Sequence, residues 1–577
     1  MSQRRPEAIA VRAVNQYRYR DVFTFLGLRY YLENTAARTD RWARYAAAHL
    51  VRVTNTPAYG RVYHFKEMHP GGRVEHRELH LPGPNEALAE AALLDECARH
   101  TGVFGNPPQV YSYELNTGRS REGVFRPYYF GLRRRQQSIA EACRAYPDGE
   151  VLFVDIAKFY PSIEADLAAS AWARACERAG IATVWRELGE FFLYRHASAQ
   201  SGSAGVLTGP MFSHLIGNLV LRGLDEWALG LPVRYHRYVD DLTLVGPPAA
   251  VGRARQEIAD RLQAIGFGLH PPESPKTLST STREVYTARN DFSKSNRSVS
   301  WMSFIGDLKR YLVINPGGVE GLRKAFASEN LRIPVWDYSG TTREVGYLER
   351  LRQLWSSRWV RKRSAQVSVQ SLVRDALTLR AHYTVEVMES LVGISSVSAF
   401  ERKRRVPHLR YRTGRLTYLA TESGLSALSH AVSGMAEMNL QAAVMKCVAT
   451  GDITQVLRMG ANAAQGAAQP LAAANKATHG ANTNEVGRQA LAVFDLNGVS
   501  TAEVLRPEGE LGEWERFARS GGDAHLMQFG QRFIRELACL HGNTLPARHP
   551  AVLTSAFDYD DEIAFDTLNV LNESASV

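Results

Sequence analysis

Residues 151–156, VLFVDI, and residues 235–246, YHRYVDDLTLVG, decide how this chain is read. The first is a run of β-branched and aromatic residues ending in one carboxylate, Asp155, which is the pattern of a buried strand. The second carries Asp240 and Asp241 in its middle, at what reads as a hairpin turn. An ionised Asp on an apolar strand is costly unless it is paired or holds a cation. Two strands bringing Asp155 beside Asp240 and Asp241 would build a hard, oxygen-lined site suited to Mg²⁺. Taken singly, the DD pair reads as a solvated turn and Asp155 as a helix N-cap before AKFY.

Between these strands lie helical stretches and a Gly-rich turn, GVLTGP (205–210), so the middle of the chain reads as an α/β or α+β core. Upstream, RVYHFKEMHPGGRVEHRELHLPGP (61–84) alternates apolar and polar residues on both sides of Pro70-Gly71-Gly72, a β-hairpin signal. EALAEAALLDECARH (86–100) reads as a helix, and an Arg-rich segment runs from Arg119 to Arg135. Residues 1–55 read as helix-rich, with FTFLGLRYYL (23–32) at helical spacing. Beyond about residue 340 strand signals fade into successive helices. Residues 440–480 are Ala-rich, and GDITQVLRMGANAA (451–464) resembles a helical repeat without a second clear copy.

The 577 residues, 45% of them apolar, exclude disordered and fibrous classes and suggest about three to five structural units. The five cysteines are far apart and never CxxC, which fits buried thiols in a reducing compartment. No long uncharged apolar run occurs, so no membrane association and a cytoplasmic location are expected. The net charge of +10 hides an asymmetry: residues 1–420 carry +18 and residues 421–577 carry −8. The first part is the one suited to a polyanion.

The motifs DIAKFYPSI (155–163), GVLTGPMFS (205–213) followed by Asn218, YVDD (238–241), PPESPKT (271–277) and WMSFIG (301–306) stand in the order of the palm motifs of reverse transcriptases. Over roughly residues 60–310 the chain resembles that family. The resemblance implies an α+β right-hand polymerase of fingers, palm and thumb followed by an α-helical C-terminal domain. The expected divisions are a helical N-terminal extension (1–60), fingers (61–150), palm (151–310), helical thumb (311–400) and the C-terminal helical domain (401–577). It further implies an RNA-directed DNA polymerase that joins deoxynucleotides by two-metal phosphoryl transfer, with two Mg²⁺ ions, or Mn²⁺ in their place.

By motif position, the resemblance makes Asp155, Asp240 and Asp241 the catalytic metal ligands, with the Ile156 carbonyl as a backbone ligand. Tyr160 takes the aromatic place under the sugar that excludes a 2′-hydroxyl. Thr208 and Gly209, with Pro210, form the turn against the incoming nucleotide. Lys276 falls near the triphosphate or is a solvated loop lysine. Lys66 and Arg77 of the hairpin would face the triphosphate, with Arg73 competing for the second place. Phe304-Ile305-Gly306 resembles the turn that holds the primer end. His64, His69, His76 and His80 crowd the same hairpin, but strand alternation denies them a tight ligand pair, and no metal is expected there.

Two basic segments interleaved with aromatics, LRQLWSSRWVRKR (351–363) and ERKRRVPHLRYRTGR (401–415), suit phosphates and stacked bases. Within the first, Arg358, Trp359, Arg361, Lys362 and Arg363 are the expected nucleic-acid contacts. Either segment is otherwise a solvated helix face.

Leu207 and Thr208 stand where the family has Pro and Gln, and His214 stands in place of a Pro. A T-G-P turn with DIxxFYPSI resembles the bacterial abortive-infection and other defence-associated reverse transcriptases. That group implies action against phage, homo-oligomers, and a phage or host protein as trigger. Its nucleic-acid partners would be an RNA template, a dedicated non-coding RNA among the choices, and a DNA product. Template-independent or protein-primed synthesis is the alternative, with Tyr411, Tyr418 and Tyr559 as candidate primers. An oligomeric scaffold in which polymerisation is secondary is another.

Overall fold

The computed structural model describes residues 6–17, 22–33, 58–118, 123–199, 205–288, 301–335, 367–481, 484–501, 503–505 and 511–542. The chain divides into two compact units. The first comprises residues 1–61, 78–295 and 522–545; the second comprises 62–77, 296–521 and 546–577. These units cut across the divisions expected from the sequence. The outer part of the hairpin groups with the C-terminal helices, and residues 522–545 group with the N-terminal ones.

In the first unit are α1 (Pro6–Tyr17), α2 (Val22–Glu33) and the base of a hairpin whose strands are β1 (Tyr59–Met68) and β2 (Val74–Pro82). As expected, the hairpin reverses at Pro70-Gly71-Gly72, where Gly71 and Gly72 adopt φ of +85° and +81°. Helix α3 (Pro84–Cys97) follows, started by a Pro at its first turn, where the missing N–H costs nothing. It is buried nearly all round, so its three buried carboxylates, Glu86, Glu90 and Asp95, need partners. Arg195 Nη1 donates to Glu86 at 2.8 Å, Arg12 Nη1 donates to Asp95 at 3.2 Å, and Glu90 takes backbone amides described below.

Helix α4 (Tyr128–Ala145) leads into β3 (Glu150–Asp155), followed by α5 (Ala165–Ala179), α6 (Thr183–Ala199) and α7 (Met211–Ala228). Strands β4 (Arg234–Tyr238) and β5 (Asp241–Gly246) form the second expected hairpin, then come α8 (Pro248–Gln263), β6 (Leu278–Ser281) and α9 (Thr282–Ala288). The four strands form one antiparallel sheet in the order β4-β5-β3-β6. Ile139, Ala142 and Cys143 of α4 pack on Val151 and Val245 of that sheet. The last described helix, Arg532–Gly542, packs on α2, with the Tyr30 and His541 rings edge to face at 5.2 Å.

The second unit is mainly helical: α10 (Trp301–Ile314), α11 (Val319–Ser328), α12 (Val369–Leu391), α13 (Ala399–Leu419), α14 (Glu422–Val432), α15 (Asn439–Thr450), α16 (Thr454–Met459) and α17 (Ala461–Ala473). A short strand β7 (His479–Ala481) pairs in parallel with β8 (Glu503–Leu505) across α18 (Glu485–Leu496), and α19 (Glu513–Ser520) follows. Caps are written locally: Ser368 and Ser371 form a capping box on α12, and Ser398 and Asn484 cap α13 and α18. The outer hairpin strands dock here, as the Tyr63 and Phe65 amides donate to Gln489 (3.1 Å) and Asn462 (2.8 Å). Those side chains occupy an edge that would otherwise be open to pairing.

One expected feature is corrected. Phe304-Ile305-Gly306 is not a turn but the interior of α10. Trp301, Phe304, Leu308 and Leu312 recur at helical spacing and are buried on one face, which outweighs the single Gly. Residues 336–366, including Arg358, Trp359, Arg361, Lys362 and Arg363, lie outside the described residues.

Candidate active site

Antiparallel pairing of β3 with β5 places Asp155 opposite Asp241. The next residue along, Ile156, donates its amide to the Asp240 carbonyl at 3.0 Å. The three acids predicted from sequence are thus brought together at one end of the sheet. Burial raises the Asp240 carboxyl to about 6, and Asp155 and then Asp241 push it the same way. Lys276 Nζ donates to Asp155 Oδ2 at 2.9 Å, and His270 Nε2 stands 3.9 Å from the same oxygen. The mutual repulsion and the ammonium resting on Asp155 show a site that takes positive charge. The all-oxygen donor set fits a hard divalent cation.

The turn carrying these acids is held from behind. Arg237, fully buried in β4, forks onto Asp225 of α7 at 2.8 and 2.7 Å. The same guanidinium donates to the Val239 carbonyl at 2.8 Å, while the Val239 amide donates to Ser112 Oγ at 2.8 Å. Asn218, which follows the Gly-Pro turn in sequence, accepts from Arg237 at 3.2 Å and donates to the Ser112 carbonyl at 3.2 Å. Val239 adopts φ +60°, a left-handed conformation that a β-branched residue takes only under constraint. Both of its backbone groups are bonded, and that constraint aims Asp240. Arg135 of α4 donates to Thr243 at 2.8 Å on the neighbouring strand; burial pulls its guanidinium down while Asp241 opposes the change.

Thr208, Gly209 and Pro210 form a turn before α7. His80 of β2 donates its amide to the Thr208 carbonyl at 2.8 Å. Gly209 has φ +129°, and a Cβ there would lie 2.4 Å from the His80 carbonyl oxygen, so only glycine fits. Beyond the turn, Glu90 of α3 accepts the Met211 and Phe212 amides at 2.8 and 3.4 Å, meeting the open donors of α7. Tyr160 lies in a one-turn 3₁₀ helix, Tyr160–Ser162, and a 2.6 Å hydrogen bond joins its hydroxyl to His214 Nδ1.

Other expected residues belong to the second unit. Lys66 and Arg77 are exposed hairpin residues of the second unit, and the Lys66 ammonium is paired with Glu75. His69 Nε2 meets Glu75 Oε2 at 2.8 Å, and among the described residues Glu67, His69 and Glu75 have donor atoms within 4.8 Å of one another. Strand alternation misses this group because the turn folds His69 back toward Glu75. On α13, Arg402 pairs with Glu437, Arg404 and Arg405 with Glu401, and Arg412 with Glu386. Much of this segment's positive charge is therefore neutralised within the unit. Tyr411 is exposed, Tyr418 donates to Gln469 at 2.9 Å, and Tyr559 lies outside the described residues.

Sequence reasoning did not assign roles to Arg237, Asp225, Ser112 and Glu90. The available signal was Arg237 itself, on the same strand face as Tyr235 and directly before YVDD. No helix among the described residues is long and apolar enough to cross a membrane. The chain matches no known protein-family model and no curated protein.

Proposed function

We propose that this protein is a nucleotidyltransferase that polymerises deoxynucleotides, an RNA-directed DNA polymerase of the defence-associated group. The observation that carries the reading is the register that sets Asp155 against Asp241, with Asp240 beside them and its carboxyl raised by burial and then by both. Asp155, Asp240 and Asp241 would hold Mg²⁺, or Mn²⁺ in its place. When bound, such ions activate an attacking 3′-hydroxyl and stabilise the leaving pyrophosphate.

The chain's own residues would do the rest. Arg237 and Ser112 fix the Val239 backbone and so aim Asp240. Lys276, now on Asp155, would exchange that partner for a triphosphate oxygen or give a proton to the departing pyrophosphate. The Gly209 turn offers bare backbone to a nucleotide, and Tyr160 closes the space beside the sugar. The resemblance carries the wider context: a role against phage, a nucleic-acid partner, assembly into homo-oligomers, and a protein trigger. Two features support a polymerase over a scaffold that merely binds. A scaffold needs neither a strained Val239 nor three clustered carboxylates.

The test is incubation of the purified full chain with each deoxynucleotide and Mg²⁺, with and without primed templates. Acid-insoluble product is expected, and Asp240→Ala with Asp241→Ala should abolish it. Product that survives the double substitution would sink the assignment.

A further inference from the structure

We propose that His214 is a positioning residue for Tyr160, and that this pair sets how strictly the site rejects a 2′-hydroxyl. The proposal rests on the polymerase reading above. His214 is buried on the first turns of α7, a helix whose start is pinned by Glu90 and by the Gly209 turn. Its imidazole is held on two sides. One face stacks on Tyr113 with ring centroids 3.7 Å apart and planes 5° from parallel. Its Nδ1 shares the 2.6 Å hydrogen bond with the Tyr160 hydroxyl.

Tyr113 is itself constrained. It adopts φ +50° and meets Phe125 edge-on at 5.4 Å. One helical turn beyond His214, Gly217 lies beside both rings: a Cβ there would stand 3.0 Å from Phe159 and 3.4 Å from the Tyr160 ring. The ring of Tyr160 therefore lies against α7 at Gly217 and is tethered at its hydroxyl by His214. A ring that only packs can swing by an ångström or so at small cost. A ring also tied at its far end cannot, and exclusion of one oxygen atom depends on displacements of that size.

The experiment compares deoxynucleotide and ribonucleotide incorporation by the full chain, with kcat and KM determined separately for each. His214→Phe keeps the stack and loses the bond, and Tyr160→Phe loses the same bond from the other side. Each should raise the ribonucleotide-to-deoxynucleotide ratio of kcat/KM about three- to tenfold, as expected for one net hydrogen bond. In both variants the larger change should fall on ribonucleotide kcat/KM rather than on deoxynucleotide kcat. The double variant should show no more than the larger single effect, because both remove one interaction. His214→Asn, whose amide reaches the place of Nδ1, should restore much of the discrimination.

The proposal is overturned if His214→Phe and Tyr160→Phe leave the ratio unchanged while Tyr160→Ala raises it, or if the two effects multiply. Tyr160→Phe, at a half-buried position, carries the test should His214→Phe not fold. A wild-type chain that incorporates neither nucleotide, or incorporation that survives loss of Asp240 and Asp241, would instead overturn the polymerase reading and this proposal with it.

Discussion

The two compact units bury different things. In the first, Arg237 and Asp225 are both wholly inaccessible, and Arg195 with Glu86 and Arg12 with Asp95 are nearly so. In the second, the centre of α17 is Ala463, Ala464, Ala467 and Ala468, all fully buried, and the arginines of α13 pair with acids at positions that keep some exposure. Backbone strain divides the same way. Among the described residues, left-handed non-glycine positions of the first unit are Tyr113, Lys158 and Val239, whereas those of the second are Asn330 and Asn475. Asn tolerates that conformation, while Val and Tyr must be held in it. Buried ion pairs seldom add net stability, and strained residues never do. A unit that keeps both is using stability to fix positions, and the positions fixed are those of Asp240 and Tyr160.

This contrast can be broken at several levels. The largest effect should come from Arg237→Met, which strands the Asp225 carboxylate in the core and should cost about 3–5 kcal/mol by chemical denaturation. Arg402→Ala removes a half-exposed pair of the second unit and should cost under about 1 kcal/mol. Equal losses at the two sites would erase the distinction. Next in size, Gly209→Ala meets both a positive φ and the His80 carbonyl, and should cost about 2 kcal/mol or more.

An effect of similar size is expected in the pH dependence. Burial lowers His196 to about 3, against an ordinary value near 6.5. It stays neutral when folded and protonates first in the unfolded chain, so its contribution is whole above about 6.5 and is lost as pH falls toward 3. Between pH 7.5 and pH 5 that loss is about 2 kcal/mol, and His196→Phe should flatten the stability curve over this range by that amount. The Asp240 carboxyl, raised to about 6, works in the opposite direction, so the difference between variant and parent is the quantity to read. The smallest effect is a gain. Gly414, inside α13 with open space around it, should add about 0.5–1 kcal/mol when changed to Ala, measured by thermal unfolding.

Local pattern made the strands and turns legible. The apolar run before Asp155, the alternation around Pro70-Gly71-Gly72 and the paired acids of YVDD each correspond to an observed strand or turn, because period and turn chemistry are written within a few residues. The supports of the site were not legible for the opposite reason. Glu90 reaches α7 across 121 residues, and Ser112 reaches Val239 across 127. A polar residue in a buried helix announces that it needs a partner but not which one. At Phe304-Ile305-Gly306 motif likeness suggests a turn, while the helical spacing of Trp301, Phe304, Leu308 and Leu312 dictates a helix. The hairpin's outer strands pair with Asn462 and Gln489, nearly 400 residues or more away, a contact no local signal contains.

Carboxylates from two adjacent strands would make one cation site. Mn²⁺ binding by the purified full chain, followed by electron paramagnetic resonance, tests it without any template, primer or trigger. A Glu75→Gln background keeps the hairpin group of Glu67, His69 and Glu75 from contributing. Asp155→Asn, Asp240→Asn and Asp241→Asn should each weaken the same binding event, and Lys276→Met, which removes the competing ammonium, should strengthen it. Mn²⁺ affinity unchanged by all three Asn substitutions would contradict the account.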